Sequence, residues 1–294
     1  MAGNAGNAGN AGNAGNLGSG SSAGGGGPQV FADRIDLPFA FDLLQGASPP
    51  PPQAITAVAN YPAKLWDQQW LSWLVLQDFA SKPFDVAANP LPPWARCTFP
   101  KSPIPADVAN ELNTLAGYAI DERPDALGEI LAQSEEFVSY FINVLGINTT
   151  AFPNTRQLLH IGNLVGLFSV MYYKKKFDRV RPSQLMPALA PPLAIPGHAS
   201  YPSGHSTQAH LIAKCVQLAL PKSVGGAPLF DTNVALTAAL DKLADRIARN
   251  REIAGLHYPS DTSAGVELAD FCLVLLQSLA SFQAISAAAK AEWL

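Results

Sequence analysis

The chain has 294 residues, 48% of them hydrophobic and only 14% charged, against roughly 25% charged in an average soluble chain. That length builds one large core or two small ones, and a net charge of −4 excludes a general nucleic-acid binder, whose balance is basic. Cys97, Cys215 and Cys272 are odd in number, far apart and in no CxxC pair, which excludes a disulfide framework and a cysteine-rich zinc site.

Residues 1–27 repeat Ala-Gly-Asn and then run into Gly and Ser. The repeat lacks the basic start and apolar stretch of a secretory signal. It also lacks the proline of a collagen helix, so a flexible tail is expected. Without such a signal, the default expectation is a cytoplasmic protein. Residues 28–62 are proline-rich and read as a surface strap, leaving 63–294 as one helical domain.

Apolar residues recur at helical spacing over 63–80, where Leu65, Trp66, Trp70, Leu71, Trp73, Leu74 and Leu76 share the pattern. A proline-rich loop follows, to about Pro105. Helices are then expected over 107–119, 125–145 and 154–179, the last ended by Pro182, whose ring blocks continuation. Residues 183–203 hold five prolines and read as loop. Further helices are expected over 204–220, 233–253 and 262–289. Alternating β-branched runs are missing, so the predicted class is all-α, a helical bundle around one core. No run of about 18 unbroken apolar residues exists, so no membrane span is expected and 268–282 reads as a core helix.

Polar and charged residues interrupt the apolar pattern at three places. In the first, Lys174 and Arg181 stand seven apart. On a continuous helix they would lie within about 20° of one face and about 10 Å apart along the axis, a grip for one oxyanion. In the second, Tyr201-Pro202-Ser203-Gly204-His205 leads from a loop into a helix. Free amides and the positive dipole end there make an anion seat, with His205 beside it as an acid. In the third, Arg251 and His257 would sit about 120° apart on a regular helix. Their convergence needs a long arginine reach or a loosened helix at Gly255. Asp261, four residues on, can accept the Nδ1 proton of His257 and leave Nε2 as nucleophile or ligand. Each place also has a plain structural reading: a solvated basic helix end, an N-cap serine, and an N-cap aspartate with a packed histidine. Together they supply three permanent cations and two imidazoles, a set suited to a tetrahedral or trigonal-bipyramidal oxyanion. No acid cluster for magnesium and no H-E-x-x-H for zinc occurs.

Taken in order, these blocks resemble the signature of the phosphatidic acid phosphatase type 2 and vanadium haloperoxidase superfamily. Lys174 with Arg181-Pro182, then Pro202-Ser203-Gly204-His205, then Arg251, His257 and Asp261 match it, across about a third of the chain. Asn250 stands where the superfamily usually has serine. The resemblance implies an all-helical fold, with His257 as the nucleophile that forms a phosphohistidine, or as the vanadate ligand. Asp261 would orient it, and His205 would be the acid for the leaving group. Lys174, Arg181, Arg251 and the Ser203 and Gly204 amides would hold the oxygens.

Within that superfamily, membrane lipid phosphatases are similar at His257-Tyr258-Pro259-Ser260-Asp261 but carry spanning helices. Soluble bacterial acid phosphatases are similar in size and over residues 200–205. Haloperoxidases show the same Tyr-Pro-Ser-Gly-His in usually longer chains. Chain length therefore favours a soluble, metal-independent phosphatase acting on a small phosphate ester without cofactor. A vanadate-dependent haloperoxidase using halide and peroxide is the alternative, and a non-enzymatic phosphate-binding protein is the third reading. A homo-oligomer is left open, as are the roles of His198 and His210.

Overall fold

The computed structural model describes residues 66–82, 104–148, 150–220, 223–224, 227–228 and 232–293. The tail, the strap, Cys97 and most of the proline-rich loop fall outside them. In chain order the helices are α1 (Gln68–Ala80), α2 (Ala106–Asp121), α3 (Arg123–Glu135), α4 (Val138–Leu145) and α5 (Pro153–Phe177). They continue with α6 (Pro182–Leu185), a 3-10 turn (Pro187–Leu189), α7 (Gly204–Gln217), α8 (Thr232–Ile253), α9 (Pro259–Gln277) and α10 (Ala280–Ala291). The fold is all-helical, as expected. Its only strands among the described residues are Ser223–Val224 and Ala227–Pro228, paired antiparallel. The elements belong to the one of the chain's two units that contains Gln68–Leu294.

The centre is α5. Leu158, Ile161, Val165 and Val170 are fully buried on it, and α7 answers with Leu211, Ile212, Cys215 and Val216. Each such aliphatic side chain contributes about 1.5–3 kcal/mol on burial. The close pairing of α5 with α7 has a sequence cause. A Cβ on Gly162 would sit 2.8 Å from the Cα of Ile212, and one on Gly166 would sit 3.0 Å from the Cα of Gln208. Only glycine lets the two backbones approach this closely. Gly265 does the same for α9 against the first turn of α7, where a Cβ would meet Ser206 Cβ at 2.7 Å.

The larger departures from the sequence expectation are these. The predicted helix 125–145 is broken after Glu135, because the Glu136 carboxylate accepts the amides of Val138 and Ser139 and starts a new helix. The predicted 262–289 helix starts earlier, at Pro259, and is broken after Gln277. Its halves α9 and α10 meet at 95°. No single described helix is long and apolar enough to cross a membrane, and only that bent pair passes the length and composition together. Residues 183–203, read as loop, contain the short α6 and the 3-10 turn. Finally, α5 ends at Phe177 because Asp178 turns left-handed, with φ 52. Pro182 does not stop α5; it opens α6 at the first helical position, which proline favours.

Glu292, just after α10, is stapled to the central helix. Glu292 accepts from Asn154 N and Nδ2 with one oxygen, and from Thr155 N and Oγ1 with the other, at 2.6–2.8 Å. A carboxylate at a helix N-terminus also meets the positive dipole end. Glu292→Ala is expected to cost about 2 kcal/mol, read as a fall in Tm of roughly 4–8 °C, with Glu292→Gln in between. An unchanged Tm would show the cap to be dispensable.

Candidate active site

The side chains singled out in the sequence lie at the ends of five helices: Lys174 in the last turn of α5, Arg181 capping α6, Ser203 to His205 opening α7, Arg251 closing α8, and Asp261 in the first turn of α9. His257 lies in the link before α9. Lys174, Arg181 and Arg251 are each 2% exposed, His257 4% and Asp261 0%.

The first pair does not converge by sharing a helix face, since the helix ends between them. Both cations reach one loop instead. Lys174 Nζ donates to Ala199 O at 2.7 Å and Ser200 O at 2.8 Å. Arg181 donates from Nε to His198 O at 3.0 Å and from Nη1 to Leu256 O at 2.9 Å. An ammonium has three donors, so one on Lys174 stays available. Burial lowers the pKa of both, Lys174 well below its usual range and Arg181 to about 10.

At the second place Ser203 caps α7, its hydroxyl accepting from Ser206 N. Its own amide is spent on Asp261 O at 2.9 Å. The unspent amides of this turn are therefore those of Gly204 and His205, which a helix cannot satisfy internally. The His205 ring lies on Phe137, centroids 5.0 Å apart, with Nε2 3.2 Å from Gln133 O. A carbonyl only accepts, so Nε2 carries the proton and Nδ1 is left to take up or release one. Burial, then the charge of Arg251, holds the ring well below the ordinary histidine range; His257 and Lys174 add to this.

At the third place α8 ends at Ile253 and Gly255 is left-handed, φ 74, the loosening that the spacing required. His257 Nδ1 lies 3.1 Å from Asp261 Oδ2. The same oxygen accepts from Tyr258 N at 3.1 Å and from Ser200 Oγ. Asp261 is held low, most strongly by Arg179, and stays ionised throughout the working range. Burial brings His257 to about 3, with Lys174 and Arg181 opposing the pull of Asp261. The ring is therefore neutral, with Nε2 carrying the free lone pair.

Arg251 donates from Nη2 to Ile130 O at 2.8 Å, while its buried Nε has no partner. Burial lowers it to about 10. None of the ion pairs among the described residues involves Lys174, Arg181 or Arg251. Among the described residues these three buried basic side chains thus make no ion pair, and the charge of Asp261 acts on Lys174 and Arg181 only from beyond contact distance. Among the described residues no three His, Cys, Asp or Glu side chains gather as metal ligands.

Sequence reasoning passed over several residues. Arg179, inside the first block, pairs with Asp261 at 2.6 Å and Glu111 at 2.9 Å. Ser200 bonds Asp261, and Gln133 holds His205. Gln133 is itself gripped by Asn250 Nδ2 at 2.9 Å, so the asparagine in the unusual position ties α8 to the end of α3. His198 is exposed, and its Nδ1 accepts from Arg181 Nη2 at 3.1 Å. His210 faces Ser206 O and Asp245 Oδ1, joining α7 to α8.

The arrangement defines an all-helical protein with a buried His–Asp pair in a cationic cluster. No family model matches the chain, and no curated protein matches it. Among solved structures it is similar to the first transmembrane PAP2 type phosphatidylglycerolphosphate phosphatase from Bacillus subtilis, with 16% identity and a TM-score of 0.46, over 72% of this chain and 95% of that one.

Proposed function

We propose that this chain is a phosphatase that hydrolyses phosphate monoesters by a metal-independent route through a phosphohistidine on His257. The observation that carries the reading is the set of three buried basic side chains that form no ion pair among the described residues, beside a neutral, Asp-bound histidine. Burying such charges costs several kcal/mol each unless an anion answers them, and a phosphoryl group supplies three oxygens for the remaining N–H donors of Lys174, Arg181 and Arg251. The amides of Gly204 and His205 add a helix N-terminus.

His257 Nε2 attacks phosphorus, and the bond to the ester oxygen breaks. His205 gives its Nδ1 proton to the departing oxygen. Water then attacks phosphorus, His205 takes its proton, and the P–N bond breaks to release phosphate and neutral His257. Asp261 stabilises the His257 Nδ1–H throughout. The ester's negative charge raises the pKa of His205, offsetting the repulsion from Arg251, so the acid is charged when substrate is bound.

The sign of the pH dependence follows. His257 stays neutral down to about 3, whereas His205 needs a proton that burial and Arg251 resist. Activity is therefore expected on the acid side: kcat/KM, which reports the free enzyme, falls as pH rises through a His205 value below the ordinary histidine range, and kcat, which reports the bound state, falls at a higher pH. A profile flat from about pH 5 to about pH 9 would remove His205 as the acid.

The deciding test runs aryl phosphate hydrolysis beside bromination of a dye by vanadate-loaded protein with peroxide and bromide. Hydrolysis inhibited by vanadate supports the phosphatase. Bromination without hydrolysis moves the function to a haloperoxidase with vanadate on His257. Tight phosphate binding with neither reaction leaves a binding protein.

A further inference from the structure

The proposed nucleophile is fixed by Asp261, and Asp261 is fixed by a residue outside the matched positions. Its Oδ2 serves three donors, His257 Nδ1, Tyr258 N and Ser200 Oγ. Its Oδ1 takes the Arg179 Nη1 at 2.6 Å. A carboxylate turns easily about its last torsion, and a charged donor on one oxygen decides which oxygen faces the ring. We propose that Arg179 is a positioning residue: backed by Glu111, it locks the Asp261 carboxylate so that Oδ2 is kept for His257. This rests on the reading of His257 as nucleophile.

Arg179 is itself aimed by a fork of contacts. Nη1 also reaches Ser260 Oγ at 2.7 Å, Nη2 reaches Glu111 Oε2 at 2.9 Å, and the guanidinium lies 3.8 Å over the Tyr258 ring. Glu111 also accepts from Ser260 N at 2.7 Å, so α2 braces the start of α9 twice. The result is a line Glu111–Arg179–Asp261–His257 with links of 2.9, 2.6 and 3.1 Å. Only a planar fork makes all of these contacts at once; a lysine keeps the charge but loses the geometry. The Arg179 carbonyl meanwhile accepts from Ser200 N at 2.8 Å, placing the serine that shares Oδ2. Direct pairing with Arg179 also keeps Asp261 out of an ion pair with Lys174 or Arg181, on which its charge still acts from farther away.

The test compares Arg179→Lys with wild type on an aryl phosphate, alone and combined with Asp261→Asn. Acting through Asp261, the change is expected to lower kcat at least about 10-fold with KM within about 3-fold. In the Asp261→Asn background it should lower kcat by less than about 2-fold. A raised KM with unchanged kcat, or the same factor in both backgrounds, overturns the proposal. A readout independent of turnover is the low-field proton signal of the His257 Nδ1–H···Asp261 bond in the ligand-free protein. It should be present in wild type and lost in Arg179→Lys with helical circular dichroism retained; an unchanged signal overturns the proposal. If wild type hydrolyses nothing, the phosphatase reading falls and this signal alone decides the role of Arg179. Should Arg179→Lys not fold, Glu111→Gln keeps Asp261 paired and removes the charge of the outer link, while its amide oxygen can still accept from Ser260 N. It is expected to broaden the signal and, where wild type turns over, to lower kcat by about 3-fold; no change in the signal overturns the proposal.

Discussion

His257→Ala is expected to reduce kcat/KM for a phosphate monoester by at least roughly 10⁴-fold, because the first bond to phosphorus forms at its Nε2. Anion affinity should survive, since Lys174, Arg181 and Arg251 do not depend on that ring: Lys174 and Arg181 are held by backbone carbonyls of residues 198–200 and 256, and Arg251 by Ile130 O. Phosphate should therefore still raise Tm, by the binding linkage, while turnover is gone. His205→Ala separates the acid from the nucleophile. In kcat/KM, which covers only the steps up to leaving-group release, it is expected to cost about 10²–10⁴-fold on an alkyl ester, whose leaving oxygen needs a proton, and far less on an aryl ester whose leaving group departs as an anion. Asp261→Asn falls between the two, because the ring keeps its place but loses the charge that supports Nδ1–H. A His257→Ala protein that keeps more than about 1% of the rate would end the covalent route. Equal losses of kcat/KM on both ester types for His205→Ala would remove it as the leaving-group acid.

Much of this was legible in the sequence because it is local. The spacing of His257 and Asp261 places carboxylate and ring four apart at a helix start, and the bond is made there. The burial of α5 and α7 follows from their apolar residues, and the Ser203 cap from its place before Gly204. The illegible parts depend on distant partners. Lys174 and Arg181 meet at a loop, not along a helix, because Asp178 turns left-handed, a choice made by tertiary context rather than by spacing. The spending of the Ser203 amide on Asp261 O is a contact between segments 58 positions apart and leaves no local trace. Arg179 stood in plain view among Lys174 to Arg181, yet its partner Glu111 lies 68 positions away on α2. The break at Glu136 was readable, since a carboxylate capping the next two amides is a local signal, but the apolar periodicity running through it masked the cap.

The interface between α5 and α7 sets the largest stability effect, and its sign runs against helix propensity. Glycine inside a helix costs about 1 kcal/mol relative to alanine, so Gly→Ala in an open helix stabilises. Gly117 in α2 and Gly128 in α3 have nothing within 4 Å of an added Cβ, and Gly117→Ala and Gly128→Ala are each expected to gain about 0.5–1 kcal/mol. Gly162→Ala should do the opposite. Its Cβ would lie 2.8 Å from Ile212 Cα and 2.9 Å from Ile212 N, backbone atoms that move only if the whole of α7 moves. Overpacking of this kind costs about 1–3 kcal/mol beyond the propensity gain, so the net expectation is a fall in Tm of roughly 4–10 °C. Gly265→Ala presses on Ser206 and on the carbonyl of Ser203, 3.0 Å away. It therefore pushes apart the segment that presents His205 and the one that presents Asp261, linked now by Ser203 N to Asp261 O. Gly265→Ala should lower kcat as well as Tm, whereas Gly162→Ala, which presses on Ile212 about two turns from His205 along α7, should lower Tm more than kcat. Thermal melts of the four single variants, with kcat measured on each at a temperature well below its Tm, check both orderings. A Gly162→Ala protein as stable as Gly117→Ala would mean that α5 and α7 do not approach as closely as Gly162 and Ile212 require.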